Sequence, residues 1–343
     1  ELASHLMWVW RATGSPINRT YDHSGPLAEP LTAPYVFHDS TIRAVAPPMT
    51  SHNLPHVGAV LRSHDMSGKG SYLFLKAGRV HSHHDDDEGS FHYYGRGVPL
   101  ALDGLPLANG ATAQQHNAVT FAKPGQPTAV VECFRSTKAA DYVRARVAPR
   151  GFCSDPMYVD GTHRSGWERQ LVLVKADRPG GVEYLVVKDT TCGPDACQWN
   201  MDVLSRRPAP AKSGRVWFPG HPDRGFGMGL EAIVLEPFAA RIEFEKGWGN
   251  EALLSARGRR ELAKGKGGSG IHLMWTVTEH WLMHIPAPAG STFVVVLFPR
   301  RADEMAPVVR YLEREETIEV AHIEGRDIIF LRPTEIVETS IGG

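Results

Sequence analysis

The run His81-Ser82-His83-His84-Asp85-Asp86-Asp87-Glu88-Gly89-Ser90-Phe91 concentrates more metal-capable groups than any other short stretch of this chain. Leu102-Asp103-Gly104 and then His116-Asn117 follow it. A divalent cation needs three or four imidazole or carboxylate ligands converging from segments that pack together. On an extended segment His81 and His83 project to the same side, because side chains alternate with a period of two. Asp103 and His116 then come from neighbouring strand ends. An acidic, histidine-rich run is also what a solvated loop looks like. The two downstream residues, each beside a turn-forming Gly or Asn, weigh toward a bound metal. Other histidines, among them His5, His23, His38, His52, His56 and His64, are scattered among Pro, Ser and Asp and read as loop residues.

The elements that must position these groups are strands. Tyr72-Leu-Phe-Leu75 precedes the run, Ser90-Phe-His-Tyr-Tyr94 follows it, and Val98-Pro-Leu-Ala-Leu102 leads to Asp103. Short apolar or alternating segments bounded by turn residues continue along the chain. They are Val57–Arg62, Ala118–Phe121, Val130–Phe134, Tyr142–Val147, Glu168–Lys175, Val182–Asp189, Glu231–Leu235, Ala240–Phe244, Ile271–Val277, the strand after Ser291, Ile318–Ala321, Asp327–Leu331 and Glu335–Val337. A hairpin joins Glu168–Lys175 to Val182–Asp189 across Arg178-Pro-Gly-Gly181. Helices are expected around Gly249–Leu262 and Ala302–Glu315, and Glu1–Arg11 reads as the end of another. So many short strands predict an all-β protein, a large sandwich of antiparallel sheets. Residues 1–55, with a Pro-, Ser- and Thr-rich stretch from Ala12, read as a connecting segment, and 56–343 as the sandwich.

Composition excludes several classes. The formal net charge of −1, with no lysine-arginine block, leaves no electrostatic footprint for nucleic acid or an anionic membrane. No apolar run is long enough to span a bilayer, and no glycine-rich phosphate loop opens a helix. Cys133, Cys153, Cys192 and Cys197 are too few for a disulfide scaffold. Cys192-Gly-Pro-Asp-Ala-Cys197 is spaced to close a tight loop, and buried free thiols are the equal alternative.

Gly58-Ala-Val-Leu-Arg-Ser63, Lys76-Ala-Gly78, His-Ser-His with Asp and Gly-Ser-Phe91, Pro99-Leu-Ala-Leu-Asp-Gly104 and His116-Asn117, continuing through Thr162-His-Arg164 to Asp189, resemble the C-terminal domain of the heparinase II/III-like polysaccharide lyases. The resemblance implies an antiparallel super-sandwich holding a metal, usually zinc, with manganese next in line. Its ligands would be His83, Asp103 and His116. It also implies that His81 faces the substrate cleft and assists catalysis or binds the uronate. The stretch Asp85–Glu88 lengthens the spacing to Gly-Ser-Phe relative to that family, so His83 and Asp85 form an alternative counterpart of the histidine pair. The implied reaction is β-elimination on acidic, uronate-containing polysaccharide by a secreted or periplasmic protein. Arg164, beside His163, is the candidate partner of the substrate carboxylate. These lyases carry an N-terminal helical toroid, of which residues 1–50 have room for only a last helix. The expectation is either a separate toroid fragment as a partner or a chain that is a truncated or processed product.

Two other readings use the same residues. His81-x-His83, Glu88, Gly95 and His116 follow the spacing of a cupin metal site, with iron or manganese in a jelly roll and an oxygenation or isomerisation as the reaction. A non-catalytic carbohydrate-binding sandwich, in which the metal only staples loops, is the third.

Overall fold

The computed structural model describes residues 50–63, 70–78, 87–102, 113–122, 127–149, 165–178, 180–210, 213–222, 227–246, 279–312 and 316–331. All of them fall in one compact unit, Thr50–Glu251 with Trp275–Gly343. They form three antiparallel sheets stacked as layers, and the short 3-10 turn Ala113–Gln115 sits among the strands of the first.

The first sheet runs in the order β1 (His52–Leu54), β2 (Gly58–Arg62), β3 (Tyr72–Lys76), β4 (Phe91–Gly95), β5 (Val98–Ala101), β11 (Cys197–Leu204), β16 (His280–Ala287), β15 (Glu243–Lys246), with β6 (Val119–Phe121) also paired to β11. The second has the order β12 (Ala209–Pro210), β13 (Arg215–Phe218), β14 (Gly229–Glu236), β17 (Thr292–Arg300), β10 (Tyr184–Cys192), β9 (Gly166–Val174), β8 (Ala140–Pro149), β7 (Pro127–Ser136). The third is β18 (Val308–Leu312), β19 (Thr317–His322) and β20 (Gly325–Phe330).

The layering explains the sequence patterns. Strands β3 and β4 alternate because only one face of the first sheet meets the second: Leu73, Leu75, Phe91 and Tyr93 point inward, while Tyr72, Phe74, His92 and Tyr94 point outward. Strands β9, β10 and β17 instead read as continuous apolar runs, Leu171–Val174, Leu185–Val187 and Phe293–Phe298. Both faces of the middle sheet are covered. Its odd-numbered residues Leu171, Leu173, Leu185 and Val187 join the main core with Trp199, Met201 and Met283 of the first sheet. The even-numbered Val172, Val174, Val186, Val294 and Val296 meet Ile318, Val320, Ile329 and Leu331 of the third. Each such side chain taken fully out of water contributes about 1.5–3 kcal/mol.

Buried polar groups of the middle sheet also bind the backbone of the first. Asp141 accepts from Arg62 N at 3.1 Å and Ser51 Oγ at 2.5 Å, and is neutralised by Lys175 Nζ at 2.6 Å. Glu183 accepts from Ser71 N at 2.7 Å. Between the second and third sheets, the Tyr184 hydroxyl donates to Asp327 Oδ2 at 2.7 Å.

The all-β expectation holds, with corrections in detail. The helix expected over Ala302–Glu315 is not formed: Val308–Leu312 is an extended strand paired with β19. Polar bonds hold the preceding segment open. Arg96 makes a two-pronged contact with Glu304, Arg300 Nη1 donates to the Glu304 carbonyl, and Arg215 Nη2 donates to the Pro307 carbonyl. Pro307 itself lacks the N–H that a helix interior would use. Strands β11, β13 and β16 were not anticipated, and β15 starts at Glu243 rather than Ala240. The elements expected at Glu1–Arg11, Gly249–Leu262, Ile271–Val277 and Glu335–Val337 lie outside the described residues. Cys192 and Cys197 are separate thiols: Cys192 is exposed at the end of β10, and Cys197 is buried at the start of β11. No helix among the described residues is long and apolar enough to cross a membrane.

Candidate functional site

The histidine-acid run connects β3 to β4, and its base is closed by a tight set of bonds. Gly89 N donates to Lys76 O at 2.8 Å, Ser90 N to Asp87 O at 2.9 Å, and Lys76 N to Ser90 O at 2.9 Å. The Lys76 ammonium pairs with Asp87 and lies 3.6 Å from Glu88 Oε1. Glu88 Oε2 accepts from Gly78 N at 2.9 Å. Burial raises the Glu88 carboxyl above its ordinary range, opposed by the Gly78 amide and the Lys76 charge. This carboxylate is engaged on the loop base, by a backbone amide and an ammonium. Gly89 adopts φ +85, and a Cβ there would lie 2.7 Å from the Trp167 ring, so no other residue fits without displacement.

Asn117 draws three separate segments together. Its Nδ2 donates to Phe91 O at 2.6 Å and Leu102 O at 3.0 Å, and its Oδ1 accepts from Asp202 N at 2.7 Å. Its backbone N–H donates to Ser90 Oγ at 3.0 Å. The two carbonyls it holds, of Phe91 at the exit of the histidine-acid run and of Leu102 immediately before Asp103, are thereby fixed beside Asn117 itself, which follows His116, while its Oδ1 ties them to β11. One fully buried amide uses both donors and its acceptor to hold these chain ends at a single point. His116 is itself 1% exposed.

Beneath this point lies a buried cation. Arg169 on β9 and Asp189 on β10 are cross-strand partners, both fully buried, with Nε–Oδ1 at 2.8 Å and Nη2–Oδ2 at 2.7 Å. Trp199 Nε1, from the first sheet, donates to the same Asp189 Oδ2 at 2.7 Å. Arg169 Nη1 reaches across to the carbonyls of Gly89 and Asn117, each at 2.5 Å. The guanidinium lies over the Trp167 ring at 4.5 Å and the Phe91 ring at 5.0 Å.

On the opposite face of the first sheet, β11 and β16 carry a polar cluster. His280 Nδ1 lies 3.0 Å from Asp202 Oδ1, and His284 Nδ1 lies 2.8 Å from Asn200 Oδ1. The two imidazoles shift in opposite directions. For His280 burial disfavours the charge, but the charge and hydrogen bond of Asp202 outweigh it and raise the pKa. For His284 burial dominates over Glu245 and Glu243 and lowers it. The His280 pair thus contributes stability that is complete below the ordinary histidine value and lost as pH rises through the raised one. His284 acts oppositely: its penalty sets in as pH falls below the ordinary value. In a histidine-ring NMR titration of the folded chain, His280 is expected to titrate above 6.5 and His284 below it. The reverse order would sink this assignment.

Of the residues singled out from sequence, His116 and Glu88 are described, and the structure gives them different surroundings. His81, His83, Asp85, Asp103, His163 and Arg164 lie outside the described residues. Among the described residues no group of three His, Cys, Asp or Glu side chains is placed to hold a metal. The donor set expected from sequence, two imidazoles and a carboxylate, suits zinc. The convergence of chain ends on Asn117 is consistent with ligands arriving from three segments. Sequence reasoning took Asn117 only as a turn-forming neighbour of His116, and gave no role to Arg169, Asp189 or Trp199. The signal for the ion pair was present: the hairpin across Arg178–Gly181 places Arg169 opposite Asp189, and both are charged at inward positions of apolar strands.

No protein-family model matches the sequence, and no curated protein matches it. Solved structures do match. A heparinase III gene product superposes with a TM-score of 0.58 at 13% identity, over 87% of this chain and 44% of that one. The heparan sulfate lyase HepC of Pedobacter heparinus gives a TM-score of 0.59 at 13% identity, over 100% of this chain and 48% of that one. A further heparinase III structure gives 0.56 at 11% identity, over 84% and 43%. The protein is thus a layered antiparallel super-sandwich. Its fold is that of the β-rich part of the heparinase III and heparan sulfate lyase structures, as the resemblance implied, and it spans less than half of their length.

Proposed function

We propose that this chain is the metal-containing β-sandwich part of a polysaccharide lyase that cleaves uronate-containing polysaccharide by β-elimination. The observation that carries the reading is the convergence on Asn117 of the segments bearing the histidine-acid run, Asp103 and His116, within a fold shared with heparinase III structures. The whole lyases are about twice as long, so the activity proposed is that of the full-length protein, acting outside the cytoplasm on an acidic polymer.

In this reading His83, Asp103 and His116 hold zinc, with manganese the next candidate. The cation supplies a fixed positive centre that pins the strand ends. His81, two residues from a ligand, stays free of the metal. Its imidazole titrates near neutrality, so it is able to accept or donate a proton at working pH. Elimination removes the acidic proton α to the uronate carboxylate and protonates the departing glycosidic oxygen. The charge that develops on the carboxylate needs a partner, which we assign to Arg164 with His163.

The test is an assay of the full-length protein on uronate polymers, following the near-ultraviolet absorbance of the unsaturated product. His81→Ala is expected to reduce turnover roughly 100-fold or more while leaving metal content unchanged. Full activity in that variant removes His81 from the mechanism. Saccharide binding with no elimination product on any uronate polymer moves the answer to a non-catalytic binding sandwich.

A further inference from the structure

Strands β2, β3 and β4 send Leu61, Leu73, Leu75 and Phe91 into the core, which leaves their other face to polar and aromatic side chains. Cross-strand register sets Arg62 opposite Tyr72, and Tyr72 opposite Tyr94. The Arg62 guanidinium lies over the Tyr72 ring at 4.6 Å, and that ring meets Tyr94 edge-on at 5.8 Å. The next row along the strands sets Phe74 against His92 at 6.3 Å. These side chains are half-buried, and Tyr72 and Phe74 join neither of the cores between the sheets.

Arg62 stands apart from the other half-buried arginines. Arg96 faces Glu304, Arg144 faces Glu132, and Arg215 and Arg300 share Glu231. Among the described residues the Arg62 guanidinium has no carboxylate and no hydrogen-bond acceptor, only the Tyr72 ring. The Tyr72 and Tyr94 hydroxyls make no hydrogen bond among them either. Burial holds both phenols above their ordinary range, so they stay protonated and able to donate. Strands β2, β3 and β4 contain no Asp or Glu, whereas the outward acids Asp202, Glu243 and Glu245 lie across the sheet on β11 and β15. An anion is therefore drawn to the Arg62 end of this face.

We propose that Arg62, Tyr72 and Tyr94 form a subsite for one uronate residue of an acidic saccharide, the tyrosine rings packing against the C–H face of the sugar and the guanidinium holding its carboxylate. The inference rests on the acidic-polysaccharide reading given above and uses no residue of the histidine-acid run. Arginine offers a planar fork that matches a carboxylate, and stacking on Tyr72 fixes that plane before the anion arrives. Less freedom is then lost on binding. Tyr72 opens β3 and the run follows Lys76, so the subsite stands about 13 Å along the strand from it. The Phe74 and His92 row continues the aromatic surface between the two, as an extended polymer requires.

The experiment titrates the full chain calorimetrically with an unsulfated glucuronate-containing octasaccharide and with its carboxyl-reduced form, circular dichroism showing each variant folded. Arg62→Gln is expected to weaken the uronate form roughly 10–100-fold and to leave the reduced form unchanged, the loss of a hydrogen bond to a charged group. Tyr72→Ala and Tyr94→Ala are expected to weaken both forms alike, roughly tenfold. Arg62→Gln covers the case in which a tyrosine variant fails to fold, because its head group makes no bond within the described fold. Arg310→Gln removes the same charge from an exposed position on β18 and is expected to bind both forms as wild type does. Wild-type affinity in the Arg62 and tyrosine variants overturns the proposal. Equal loss in Arg62→Gln and Arg310→Gln reduces the effect to net charge and overturns it too. A wild-type chain that binds neither saccharide overturns instead the polysaccharide reading on which it rests.

Discussion

Asp189→Ala is expected to cost about 3–5 kcal/mol of folding stability, the loss typical of removing one partner of a fully buried ion pair. Asp189 accepts three hydrogen bonds, two from Arg169 and one from Trp199 Nε1, and both charged side chains are 0% exposed. Removing the carboxylate leaves a guanidinium in the sandwich core with no counter-ion, and strands the indole N–H as well. The cost comes mainly from that desolvated, uncompensated charge. In urea the midpoint should fall with an unchanged slope, and the melting temperature should drop roughly 5–10 °C for a unit of this size. The double replacement Arg169→Met with Asp189→Leu should recover much of the loss, because well-packed apolar groups often replace a buried pair at little cost. A single-variant loss under about 1 kcal/mol, the scale of an exposed pair, would show that water reaches the charges.

The same network marks where sequence reading succeeded and where it stopped. Period-two alternation in Tyr72–Lys76 and Phe91–Gly95, and unbroken apolar runs in Leu171–Val174 and Phe293–Phe298, were sufficient to read strands with one or two covered faces. They did not reveal β11 or β16. In Cys197–Leu204 the outward positions are the half-buried Gln198 and the buried polar Asn200 and Asp202, and in His280–Ala287 two outward histidines and Pro286 disguise the pattern. A helix was expected over Ala302–Glu315, where Val308–Leu312 is instead a strand. Bonds from the distant Arg96 and Arg215 hold the segment before it open. At the site, metal-capable residue types were legible as a motif. The group that joins their segments is an asparagine, whose side-chain amide has no periodicity to betray it, and its partners Phe91, Leu102 and Asp202 are remote in sequence.

On the metal reading proposed above, stripping zinc from the chain is expected to destabilise it by about 4 kcal/mol when free metal stands roughly a thousandfold above its dissociation constant, because a ligand bound only by the folded state stabilises it by mass action. His116→Ala should abolish this metal-dependent increment: the loaded and stripped variant should unfold at the same midpoint, well below that of loaded wild type. Glu88→Gln decides between ligand sets. In the cupin arrangement Glu88 is a ligand, and its loss removes the metal. In this structure its carboxylate is occupied by the Gly78 amide and the Lys76 ammonium at the base of the loop. A glutamine oxygen still accepts from Gly78, while the ionic contact with Lys76 disappears. Glu88→Gln is therefore expected to keep stoichiometric zinc and the full metal-dependent increment, with a modest loss of stability in loaded and stripped protein alike. Unfolding of wild type at one midpoint with and without zinc would reject the metal site. Metal loss in Glu88→Gln, with retention in Asp103→Ala, would transfer the ligands to the cupin set.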